Sequence, residues 1–176
     1  VNIHLNRAFF SNDNPHLFGL SIYFQGCDRN PKCPYCHNPQ TWAPYQGYEY
    51  ELDELIEVIF NKLDYVFDSY DKLSLCYVGG EPLAPYNRDA VLAISKAVKA
   101  RYGDKIVNVL FSWRMPDEII EGGLMPYIEY IDEFVLGPYD YTLRNYTDEN
   151  NTEVGFPAST NQLYIKKEEL IYASTI

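Results

Sequence analysis

Apolar positions along the chain follow two different rhythms. Leu52, Leu55, Ile56, Ile59, Leu63, Val66 and Phe67 recur at helical spacing and form one stripe, which predicts an amphipathic helix from Asp53 to about Ser69. Elsewhere the apolar residues gather in short runs closed by turn residues. Leu17 to Gln25 ends at Gly26 and reads as a strand. Leu73 to Val78 reads as a second, halted by Gly79-Gly80-Glu81-Pro82. Asn87 is the candidate cap of a helix that carries Val91, Ile94 and Val98 on one face. Ile106 to Phe111 is a third strand, and Pro116 to about Tyr130 is helical with a break at Gly122-Gly123. Glu133 to Leu136 is a fourth strand, ending at Gly137-Pro138. Residues 139–160 follow neither rhythm and are rich in Asn, Thr and Asp, so they form a long irregular segment before a last strand, Gln162 to Lys166.

Strands alternating with helices define an α/β protein with a mostly parallel sheet, whose strand C-termini point the same way. Loops that follow strands then share one rim. The segments Cys27 to Cys36, Gly79 to Pro82, Ser112-Trp113 and Gly137-Pro138 all follow strands, so topology alone gathers them around one candidate site. A length of 176 residues with 47% hydrophobic content suits a single domain over residues 1–176.

Charge narrows the partners. Fourteen basic against twenty-five acidic residues give a net charge of −11, which opposes attraction to phosphate backbones and anionic lipid surfaces. Neither nucleic acid nor membrane is an expected partner. No apolar run approaches the roughly 20 residues of a membrane span, and the first residues, with His4, Arg7 and Asp13, lack the apolar core of a secretion signal. The expected location is the cytoplasm.

Three of the four cysteines, Cys27, Cys33 and Cys36, crowd into one loop at residues 26–38. A [4Fe–4S] cluster held by four cysteines is saturated, whereas three thiolates leave one iron open to a substrate. The rival is a tetrahedral zinc site of Cys27, Cys33, Cys36 and His37, in which adjacent ligands at 36 and 37 make an awkward geometry. A loop without metal is a third reading. Cys76 lies in the apolar strand and reads as a small core hydrophobe. Gly79 and Gly80 are either a tight turn or a side-chain-free approach to a ligand, with turn carbonyls and Glu81 as acceptors for an ammonium group. Tyr35 either fills a gap beside the cysteines or packs on a flat base. Ser112 and Trp113 are rim residues with either a structural or a binding role.

Taken together, these blocks resemble the radical S-adenosylmethionine superfamily, and within it the small activases of glycyl radical enzymes. Gly26-Cys27 through Cys33-Pro34-Tyr35-Cys36-His37-Asn38-Pro39-Gln40-Thr41-Trp42 is similar to their cluster loop, although five residues separate the first two cysteines where the family usually has three. Gly79-Gly80-Glu81-Pro82 resembles the superfamily's methionine-binding turn. Gly137-Pro138-Tyr139 and Ser159-Thr160-Asn161-Gln162 resemble blocks of the activators of anaerobic ribonucleotide reductase, with Phe156-Pro157-Ala158 standing where an arginine and glycine are usual.

The resemblance implies a partial, open β/α barrel. It implies Cys27, Cys33 and Cys36 as ligands of a [4Fe–4S] cluster, and Tyr35, Asn38, Gly79, Gly80, Glu81, Pro82 and Ser112 around S-adenosylmethionine. The chemistry it implies is carried by the cluster and the cosubstrate, so no side chain is assigned as catalytic. One electron, from a flavodoxin or ferredoxin-type donor, cleaves the sulfonium, and the resulting radical abstracts hydrogen from a glycine of a partner enzyme. That partner would be an anaerobic (class III) ribonucleotide reductase. The alternatives are activation of another glycyl radical enzyme such as pyruvate formate-lyase, a small-molecule enzyme like 7-carboxy-7-deazaguanine synthase, and a non-enzymatic metal-binding module.

Overall fold

The structure, a computed structural model, describes residues 1–145 and 155–174. Seven strands form one open sheet in the order β3-β1-β2-β4-β5-β6-β7, with β3 (Tyr48–Glu51) and β7 (Leu163–Lys166) at its edges. Its centre is parallel, as the alternation of elements implied. β2 (Gly19–Phe24), β4 (Leu73–Gly79), β5 (Ile106–Ser112) and β6 (Glu133–Leu136) run side by side in one direction. Three antiparallel pairings flank this centre: β1 (Asn2–Ser11) with β2 and with β3, and β7 with β6.

The helices supply the crossovers. α1 (Leu52–Phe67) buries Leu55, Ile59, Leu63 and Val66, and its N-terminus is capped by the Glu51 carboxylate, which accepts from the amides of Asp53 and Glu54. α2 (Arg88–Tyr102) buries Val91, Ile94 and Val98. Asn87 occupies its N-cap position, but its side chain makes no cap bond and points elsewhere. α3 (Pro116–Glu121) is short, and the chain resumes as a single turn at Met125–Ile128 beyond the Gly122-Gly123 break. α4 (Lys167–Ser174), which the apolar pattern does not predict, follows β7 directly.

Period-two alternation gives the sheet two distinct faces. Leu20, Ile22 and Phe24, with Leu73, Leu75 and Tyr77, point to the helices and join the main core. Tyr23, Cys76, Val78, Val109 and Val135 point the other way and form a smaller cluster, against which Phe111, Phe156 and Tyr164 pack. Register then aligns the strand ends: Phe24 sits opposite Gly79, and Ser112 opposite Leu136. Every loop that leaves the parallel strands at their C-termini therefore starts along one edge.

Candidate functional site

At that edge lies a cleft of about 400 Å³ on the face opposite the helices. Its floor is the smaller apolar cluster, through Tyr23, Val78, Phe111 and Val135, and its walls come mainly from the segments that follow the four parallel strands. Cys36, His37 and Asn38 enter from the cysteine loop, and Gly79, Gly80 and Glu81 from the turn after β4. Ser112 ends β5 and Trp113 follows it, and Gly137 and Tyr139 follow β6. The rim deduced from topology is thus a real concavity. Gly155, Phe156, Ala158 and Gln162 close the far side, so the ends of the irregular segment also line the cleft. That segment carries a turn at Tyr141–Leu143 and a bridge between Arg144 and Ser159, and its residues 146–154 lie outside the described residues.

Of the residues singled out from the sequence, Cys36, Asn38, Gly79, Gly80, Glu81 and Ser112 line the cleft. Cys27 and Cys33 are half-buried in the loop beside it, and Pro82 is buried behind the turn. Tyr35 adopts the left-handed region at φ 57° and is 74% exposed, its ring packed against Tyr141 at 4.4 Å. His37 makes a similar ring contact with Tyr139, also at 4.4 Å, so the cysteine loop rests on the segment that follows β6.

The turn is fixed by its neighbours. The Gly80 amide donates to the Phe24 carbonyl and the Glu81 amide to the Gly26 carbonyl. A Cβ on Gly80 would lie 2.1 Å from the Gly26 oxygen, and Gly79 holds φ 112° with the Phe24 backbone 2.3 Å from where a Cβ would stand. Both glycines are therefore demanded by close backbone packing, whatever ligand the turn meets. Asn87 adds a tie, donating to the Gln25 and Glu81 carbonyls at 3.1 Å each.

Glu81 turns its carboxylate inward. It is 1% exposed and accepts from the amides of Leu83 and Trp113, the Ser112 hydroxyl and the Arg114 guanidinium. Burial pushes its carboxyl up to about 7, against the pull of Arg114 and these donors. The side chain thus serves the frame of the turn. Arg114 continues to Asp28, next to Cys27, at 2.6 Å, and Trp113 donates its indole N–H to the same carboxylate at 3.0 Å. Burial opposes ionisation of Asp28 as well, yet the bonds from Arg114 and Trp113 outweigh it and hold this carboxyl below its ordinary range.

Neither Arg114 nor the pairing role of Asp28 was visible in the sequence. The available signal was weak: opposite charges at the ends of two rim segments. Asp13, also missed, reaches the cleft from the β1–β2 connection and accepts from the hydroxyls of Ser21 and Tyr23.

All four cysteines are free thiols. Cys76 is buried in the smaller apolar cluster, where burial pushes its thiol up to about 12, as suits a core residue. Burial also raises Cys27, to about 11, so metal binding there requires release of a proton. Among the described residues no three His, Cys, Asp or Glu side chains converge on a single ion. Three half-buried thiols on one loop are a donor set that suits a multi-iron cluster, in which each of three irons takes its own thiolate.

An open α/β sheet with three free thiols at the rim of a strand-end cleft defines a class of iron–sulfur protein. Residues 18–165 match the family described as a 4Fe-4S single cluster domain, and the chain belongs to that family. The chain is also similar, at 31% identity over 117 residues, to a Methanocaldococcus jannaschii protein that carries the name of a putative glycyl-radical enzyme activating enzyme. That match covers 66% of this chain and 43% of the relative, so the chain spans less than half of that protein. Two anaerobic ribonucleoside-triphosphate reductase-activating proteins are similar at 25% identity. The one from Enterobacteria phage T4 aligns over 69% of this chain and 71% of its own length, and the one from Vibrio cholerae over 63% and 69%. Among the described residues no helix is long and apolar enough to cross a membrane.

Proposed function

We propose that this chain is a radical S-adenosylmethionine activase that installs a glycyl radical on an anaerobic ribonucleotide reductase. The observation that carries the reading is the cleft itself, where Cys36 of the cysteine loop and the Gly79-Gly80 turn face one cavity. In this reading Cys27, Cys33 and Cys36 hold a [4Fe–4S] cluster and leave one iron for the cosubstrate. When bound, the pair supplies one-electron cleavage of a sulfonium C–S bond and a carbon radical that takes a hydrogen atom from a glycine Cα.

The chain's own contribution is binding and exclusion. The backbone of Gly79 and Gly80 receives the ammonium group of the cosubstrate, while Ser112 and Asn38 contribute polar groups at the walls. Tyr35, now turned outward onto Tyr141, is the candidate to close over the adenine. The floor of Val78, Phe111 and Val135 places no polar side chain under the bound pair. An open cleft of this kind suits a polypeptide substrate that covers it, here a loop of the reductase. Free thiols and a one-electron donor of the flavodoxin or ferredoxin type suit a reducing cytoplasm.

The test is anaerobic reconstitution with iron and sulfide, reduction by dithionite, and addition of S-adenosylmethionine with the reductase. The expected result is a glycyl radical signal by electron paramagnetic resonance. Cleavage of the cosubstrate without a radical on any reductase would overturn the partner, and absence of cleavage would overturn the activity.

A further inference from the structure

We propose that Arg114 is a positioning residue that clamps the cysteine loop to the cosubstrate turn, an inference that rests on the activase reading for its functional consequence. The geometry is a chain of bonds across the rim. The Arg114 guanidinium donates through Nη2 to Asp28 Oδ2 at 2.6 Å and through Nη1 to Glu81 Oε2 at 2.9 Å, so one side chain spans the loop and the turn. It is 8% exposed, and its guanidinium carbon lies over the Trp113 ring at 4.5 Å. Trp113 reinforces both ends, its indole donating to Asp28 and its amide to Glu81.

Two features make the clamp informative about this chain in particular. Asp28 immediately follows Cys27 and opens the five-residue gap before Cys33, the stretch where the loop is longest and has least backbone support. Across that gap the ties come from side chains: Arg29 donates to the Pro31 carbonyl, and the Lys32 ammonium to the carbonyls of Cys27 and Arg29. Fixing Asp28 to the β4 and β5 ends therefore fixes the first thiol relative to the turn and shortens the span that remains free. A planar guanidinium does this where a lysine ammonium does not, because both of its arms reach Asp28, Nη2 at 2.6 Å and Nη1 at 3.3 Å, while Nη1 also holds Glu81 at 2.9 Å.

The clamp can be read without iron or cosubstrate. In the metal-free chain, hydrogen exchange followed by mass spectrometry should show residues 27–38 exchanging roughly tenfold faster or more in both Asp28→Asn and Arg114→Gln. Arg114→Lys should resemble Arg114→Gln, and the double variant should be no faster than Arg114→Gln alone, because both changes remove the same link. Exchange in β2 and α1 should stay unchanged in Asp28→Asn, which guards against simple misfolding of the Arg114 variants. Wild-type exchange across 27–38 in Asp28→Asn, or additive effects in the double variant, would overturn the clamp. In the reconstituted protein, Asp28→Asn should raise the KM for S-adenosylmethionine more than it lowers kcat, and a fall in kcat with unchanged KM would overturn it too. A wild-type protein that cleaves no S-adenosylmethionine overturns the activase reading, and the metal-free exchange then tests the clamp on its own.

Discussion

The turn after β4 and the cysteine loop face each other across one cleft, yet they are held in different ways. The turn is determined by the fold: its amides are bonded to the β2 exit, its glycines fit where no Cβ can stand, and its glutamate is buried among four donors. The loop is anchored at its ends, where the Gly26 and Cys27 amides reach the Thr41 and Trp42 carbonyls, and at Asp28. Between Asp28 and Cys36 its bonds are local, and the exposed Tyr35 touches only the Tyr141 ring of the segment after β6 among the ring contacts of the described residues. Half of the site is thus preorganised by packing, while the other half is held by its ends, by Asp28 and by local bonds.

The largest expected effect tests the loop. Replacing Cys27, Cys33 or Cys36 by alanine should abolish iron retention after reconstitution, while the stability of the metal-free chain in urea falls by no more than about 1 kcal/mol. Cys76→Ala should keep its iron, and loss of iron there would overturn the ligand assignment. Gly80→Ala makes the opposite test on the turn. A Cβ meeting the Gly26 backbone at 2.1 Å should cost about 3 kcal/mol in the metal-free protein, the upper range for overpacking, and a neutral result would break the contrast.

A comparable effect should appear with pH. The folded-state carboxyl of Glu81 is raised from 4.5 to about 7, so the folded chain holds a proton that the unfolded chain releases. Its contribution is complete below about 4.5 and is lost as pH rises to about 7. Asp28 is shifted the other way, and its contribution is present above its ordinary value and lost as pH falls through the depressed one. Urea midpoints should therefore decline from about pH 5 to about pH 7, and Glu81→Gln should remove that slope even as it lowers stability overall. The smallest effect sets the scale. Asp64→Asn, which removes the charge from an exposed pair with Arg101 between α1 and α2, should leave the urea midpoint nearly unchanged and both halves of the site intact.

The sequence was most legible where one element carried its own pattern. α1 and β4 fall within two residues of their expected bounds, because a helical stripe and an apolar run between turn residues need no partner to be recognised. β1 is hard to read because its alternation, Ile3 and Leu5 inward, breaks at an irregularity between Leu5 and Arg7. β3 is a short exposed edge defined by its pairing with β1, and α4 buries only Leu170. The same distinction holds at the site. Cysteine spacing and the double glycine are local features, and the rule that parallel strands end together gathers them. The Asp28–Arg114–Glu81 link joins residues 86 and 33 positions apart, and no local pattern announces a pairing across three loops.

The two-faced alternation of the central strands also divides the chain's freedom to change. Leu75 and Tyr77 cannot be altered without opening the main core, whereas Tyr23, Phe111 and Val135, on neighbouring strands, face the cleft. Changes on the cleft-facing surface therefore alter what the cavity presents at the expense of the smaller cluster alone, while the main core on the opposite surface of the sheet stays intact.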